Sequence, residues 1–208
     1  MEPNWASEHL QVIRTLMERS ALYRRALAPI MLTCGVIGVG AATATCFVRI
    51  EEAAGFSALW LVTALVALAA ALLLVRRQAL KEAELFWSPP TRRVGQALLP
   101  AFVAGLAAGI IFLLDDSPTP ASTWYLAVFW TAIYGCALNG AGFFMQRGIR
   151  LFGWAFIIGG SAAFAMGFAR PALVSTESAH YLMGLFFGLL HLAYGVYLYF
   201  TERSRKTA

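Results

Sequence analysis

Six apolar stretches, each about one bilayer crossing long, constrain this chain more than any other feature. They cover residues 26–48, 57–75, 94–114, 122–145, 149–169 and 178–200. A helix rises about 1.5 Å per residue, so about 20 apolar residues cross a hydrocarbon core about 30 Å thick. In lipid each backbone amide must be paired within the spanning segment, and a helix does this alone. Only 13% of the 208 residues are charged, where soluble domains carry about 25%. What remains between the stretches is too short for a soluble domain. The expected fold is all-α and polytopic. Six transmembrane helices form three helical hairpins (26–75, 94–145 and 149–200) within one domain, 26–208, preceded by a segment at 1–25.

Charge sets the expected orientation. The loops after the first, third and fifth spans read "RIEEAAGF", "DDSPTPAS" and "RPALVSTESAH". They hold Arg49 and Arg170 beside five acids, Glu51, Glu52, Asp115, Asp116 and Glu177. The remaining 14 of the 16 basic residues lie in the N-terminal segment, in the other loops or, for Arg150, at the margin of one, and in the tail. The positive-inside rule then places both termini in the cytoplasm. The formal charge of +5 follows from that asymmetry and from contact with anionic lipid, with no nucleic-acid partner needed. The first 25 residues lack the basic-then-apolar order of a signal peptide, so the first span is expected to direct insertion.

The segment "NWASEHLQVIRTLMERSALYRR" places Leu10, Ile13, Leu16 and Met17 on one helical face and Glu8, Arg14, Glu18 and Arg19 beside or opposite it. That pattern predicts an amphipathic helix on the cytoplasmic side. It packs under the bundle, lies on the leaflet, or docks a partner chain. Between the second and third spans, Pro89 and Pro90 are expected to stop a helix that runs past the membrane. The returning helices open alike, at "SALWLV", "STWYLAV" and "SAHYLMG". This reads as a threefold repeat of two-helix units. Convergent use of a serine N-cap with interfacial aromatics is the alternative. Cys34, Cys46 and Cys136 fall inside the expected helices without a CxxC, and read as small packing residues rather than a disulfide or metal framework.

Polar residues within spans are costly and mark candidate sites. They are His191 on the sixth span, Asn139 and Thr131 on the fourth, and Ser161 on the fifth. Gly184, Gly188, His191 and Gly195 recur at helical spacing, and Gly135, Asn139, Gly142 and Gln146 repeat the same increments on the fourth span. Small residues so spaced let backbones approach closely. His191 is therefore expected to point into the bundle, neutral and hydrogen-bonded between helices, toward the fourth span or a neighbouring small-residue helix. The functional alternative is a ligand pocket lined by His191, Asn139 and Ser161. A haem-type axial ligand would need no second residue, but nothing else in the spans supports one.

Six spans, a membrane serine and a sixth-span histidine resemble the layout of rhomboid proteases. Those enzymes carry a GxSG-type serine motif on the fourth span, whereas "GGSAAF" puts Ser161 on the fifth. Ser161 and His191 also differ in depth by about five residues, roughly 7 Å, too far for a nucleophile and its base. Paired carboxylates, HExxH and phosphate loops are absent from the sequence, so no enzyme, cofactor or metal is expected.

With "EHLQVIRTLMERS" and "FGLLHLAYG" both in view, the chain resembles a family of uncharacterised bacterial inner-membrane proteins. These have six helices, an IRxxMERS-like segment before the first, and a histidine near the end of the sixth. The resemblance implies that the whole chain is one unit, and that it serves a sensing or regulatory setting, since some members are encoded beside winged-helix regulators. It singles out Ile13, Arg14, Met17, Glu18, Arg19, Ser20 and His191. The expectation is a non-enzymatic inner-membrane regulatory or scaffold protein; the alternative is a small transporter, channel or ligand-binding protein. Expected partners are the lipid bilayer, a protein bound through the N-terminal helix, and further copies of the chain in a homo-oligomer.

Overall fold

The structure, a computed structural model, describes residues 26–81, 83, 86–115, 117, 119–145 and 147–207. The expected amphipathic helix at 1–25 and Gln146 lie outside the described residues. Among those described there is no strand. The helices are α1 (Ala26–Phe47), α2 (Ala53–Lys81), α3 (Pro89–Leu113), α4 (Pro120–Ala141), α5 (Arg147–Ala169), α6 (Thr176–Met183) and α7 (His191–Thr207). A π-helical segment, Gly184–Leu190, joins α6 to α7, so the three together make one sixth span, Thr176–Thr201. All six spans are long and apolar enough to cross a membrane. The chain is an all-α, multi-pass membrane protein.

The helix ends follow local chemistry. α2 has 29 residues, about 44 Å at 1.5 Å per residue, and so outruns a bilayer core. Pro89 and Pro90 do not stop it. α2 has ended at Lys81, and the prolines instead open α3 behind the N-cap Ser88. Proline suits the first turn because its missing N–H would have no helical partner there. Ser122 and Ser178 are likewise not N-caps. Thr119 caps α4 by accepting from Ser122 N in a reciprocal capping box, and Ser175 caps α6 by accepting from Ser178 N. The α4 and α6 openings thus share one construction. Ser57 sits a turn inside α2, fully buried, with its hydroxyl unpaired. The repeated wording therefore marks one structural position in two of the three hairpins.

α4 is the hub. Within its membrane window 56% of the residues are buried, against 6% for α2. It packs on α5, α3, α6 and α2, and Trp130 Nε1 donates to Gly105 O of α3 at 2.8 Å. The buried residues of α5 are Ile149, Phe152, Gly153, Phe156, Gly160, Ala163 and Gly167; without Phe152 they form a seam of alternating four- and three-residue steps. A Cβ on Gly135 would lie 2.8 Å from Gly153 O and Ile157 N, and one on Gly153 only 2.7 Å from Asn139 N. Gly142 meets Arg150 in the same way. The small residues of α4 therefore weld it to α5, not to the sixth span.

The glycines of the sixth span meet α1. A Cβ on Gly188 would lie 2.9 Å from Val39 N, one on Gly195 2.8 Å from Leu32 N, and one on Gly184 2.7 Å from Ala42 Cβ. Gly38 of α1 approaches the Phe187 carbonyl in return. Where a glycine meets the backbone of another helix, the contact thus crosses the expected hairpin boundaries. Such contacts suit membranes, where apolar burial gives no preference for protein over lipid and association depends on packing. The cysteines are free. Cys34 is half-buried against Ala67 O of α2, while Cys46 and Cys136 are exposed, so those two are not packing residues.

Candidate functional site

His191 lies at the end of the π segment and is 2% exposed. Its Nδ1 is 3.0 Å from Phe186 O, five residues back, and its Nε2 is 2.9 Å from the Tyr134 hydroxyl of α4. A carbonyl only accepts, so Nδ1 carries the proton and donates. In the neutral ring Nε2 is then the acceptor, and Tyr134 O–H donates to it. Both ring nitrogens are filled by protein. The surrounding rings are Phe152 and Phe156 of α5, edge-on at 5.1 and 5.5 Å, and Phe187, stacked at 6.1 Å. No charged group joins these contacts, and an apolar cage strongly favours the neutral imidazole.

The π segment explains why His191 leaves the glycine stripe. An i→i+5 turn holds one residue more than an α turn. His191, at its end, is rotated out of the stripe, whereas Gly195, four residues on, again meets Leu32 of α1. Gly184 and Gly188 therefore keep to α1 while His191 turns toward α4 and α5. The single stripe expected from Gly184, Gly188, His191 and Gly195 is split between two neighbours.

The other candidates do not assemble around His191. Ser161 is exposed on α5, because its neighbour Gly160 faces Ala132 of α4 and the next position turns outward. Asn139 is half-buried, with Nδ2 reaching Arg150 O across the α4–α5 turn at 3.5 Å, the outer limit of a hydrogen bond. Thr131 is fully buried and donates to Ala127 O of its own helix at 2.8 Å. A pocket lined by His191, Asn139 and Ser161 is not formed. Among the described residues, no group of three or more His, Cys, Asp or Glu is placed to hold a metal. The docking candidates Ile13, Arg14, Met17, Glu18, Arg19 and Ser20 lie outside the described residues.

Two residues that matter were not legible as candidates. Tyr134 reads in sequence as one more membrane aromatic; its only pointer is its place next to Gly135, level with His191. His180 sits in the "SAHYLMG" opening and reads as interfacial, yet it is 3% exposed. Its Nε2–H donates to Ile50 O of the α1–α2 loop at 3.2 Å, and its Nδ1 accepts from Trp60 Nε1–H of α2 at 3.0 Å. Phe56 lies 4.8 Å from the ring. The two histidines thus hold opposite tautomers for one purpose, bridging a donor to a carbonyl across elements. Beside His180, the Thr123 and Thr176 hydroxyls meet at 3.1 Å and tie the starts of α4 and α6.

No protein-family model, curated protein or solved structure matches this chain.

Proposed function

We propose that the chain is a non-enzymatic protein of a bacterial inner membrane, serving as a regulatory, sensing or scaffold module. Its termini lie in the cytoplasm, where the N-terminal segment docks a partner chain. The single observation that carries this reading is the state of His191. The most functional-looking side chain in the spans has both nitrogens consumed by Tyr134 and Phe186, inside a cage of phenyl rings. A general base or a metal ligand needs a free nitrogen facing substrate or ion. Ser161, the one nucleophile proposed with it, is on an exposed face. The charge asymmetry across the loops supports the orientation, and the amphipathic pattern of Leu10, Ile13, Leu16 and Met17 in the sequence supports the docking role.

Deleting residues 1–22 and comparing the proteins that co-purify from native membranes tests the reading. The deletion is expected to remove a specific partner while the six-span domain stays in the membrane. An unchanged partner set and an unchanged phenotype would defeat the docking role.

A further inference from the structure

His180 differs from His191 in its place within the fold. His191 lies mid-span without a charged neighbour among its contacts, whereas His180 is in the opening turns of the sixth span, at the membrane edge. It fastens the α1–α2 loop, through Ile50 O, to α2, through Trp60. The residue is 3% exposed, and the loop it bonds is only a few residues long. Arg49, Glu51 and Glu52 in that loop are all exposed. On α6 itself Glu177 is engaged by the Tyr181 hydroxyl at 2.9 Å. The opening turns of α2 carry no charged group, and those of α4 carry only the phenol of Tyr125.

We propose that His180 is an acid-released latch on the α1–α2 loop. In the neutral ring Nδ1 is an acceptor, and that lone pair is what holds Trp60 N–H. A proton arriving there turns the acceptor into a donor, so two N–H groups face each other at hydrogen-bonding distance. The bond becomes repulsive, and the imidazolium is left against the Phe56 ring and the indole without water. The carboxylates of Glu51 and Glu52 in the adjoining loop offer the charged ring a solvated position. Taking it breaks the Ile50 contact and frees the loop from α2. The latch rests on this geometry alone, whichever side of the membrane the loop faces and whatever partner the N-terminal segment binds.

A nitroxide at Arg49→Cys, in full-length protein lacking Cys34, Cys46 and Cys136 and embedded in lipid nanodiscs, reports the loop directly. Between about pH 7.5 and about pH 4, a window that contains the ordinary histidine pKa of about 6.5 and extends well below it, the mobile spectral component is expected to rise severalfold and to fall again on return. His180→Gln supplies an amide oxygen to Trp60 and an amide N–H to Ile50 but cannot be protonated. It should hold the loop immobile at both pH values. A label at Asp115→Cys, in the loop before α4, should not respond. The proposal is overturned by a wild-type loop that ignores pH, by an equal response in His180→Gln, or by an equal response at position 115.

Discussion

The register of α1 against the sixth span can be tested with two glycines two residues apart. A Cβ on Gly38 would run into the Phe187 carbonyl and lie 2.9 Å from Gly188 N, whereas one on Gly40 meets nothing within 4 Å. Both lie inside the same helix, so Gly→Ala gains the same helix propensity at each, up to about 1 kcal/mol. That gain cancels in the comparison. What remains is the overpacking at Gly38, where the obstacle is backbone and cannot rotate away, worth about 1–3 kcal/mol. At about 2–4 °C per kcal/mol for a chain of this size, Gly38→Ala should unfold about 2–12 °C below Gly40→Ala. Thermal unfolding of the two detergent-purified variants, followed by intrinsic fluorescence, gives the difference. Equal midpoints would refute the packing of α1 on the sixth span, and with it the contact that joins the first helix to the last.

Other outcomes follow from the same geometry. Trp60→Phe keeps the ring packing but strands the His180 acceptor, and should cost about 1–3 kcal/mol in unfolding free energy; His180→Gln should cost less, because it still bridges Trp60 and Ile50. Ser161→Ala should leave both stability and phenotype unchanged, since the hydroxyl faces outward; loss of phenotype in a stable variant would restore Ser161 as a site. In a cysteine-free background, Asp115→Cys should be labelled from outside the cell and Arg77→Cys only from the cytoplasm, and the reverse pattern would invert the assigned orientation.

Much of the fold was legible because lipid makes helix length nearly a matter of counting. Gly135, Gly142, Gly184, Gly188 and Gly195 were legible as positions of close approach, because a missing side chain records that something comes near. It does not record what comes near: α5 for the α4 set, and α1 for the sixth-span set. The seventh-residue recurrence of Gly153, Gly160 and Gly167 was the available signal for the α4–α5 weld. The π segment left no signal, since "GLFFGLL" is as compatible with i→i+4 as with i→i+5 bonding. Without it the turn of His191 toward Tyr134 could not be placed. His191 itself was legible as buried and hydrogen-bonded between helices, because an isolated imidazole among apolar residues must find partners. Ser161 was misjudged for the opposite reason: a serine costs little at a helix surface and so reveals little about the face it occupies.

Two substitutions at His191 distinguish a structural bridge from a chemical role. His191→Gln can still accept from Tyr134 and donate to Phe186 O, whereas His191→Leu leaves both unpaired. Unfolding stability, measured together with complementation of a chromosomal deletion, separates the cases. As a bridge, the Gln variant should stay near wild type and complement. The Leu variant should lose about 1–3 kcal/mol and complement only as far as its reduced folded fraction allows. Two variants that are both as stable as wild type and both without function would refute the bridge, because that pattern requires chemistry at the imidazole itself.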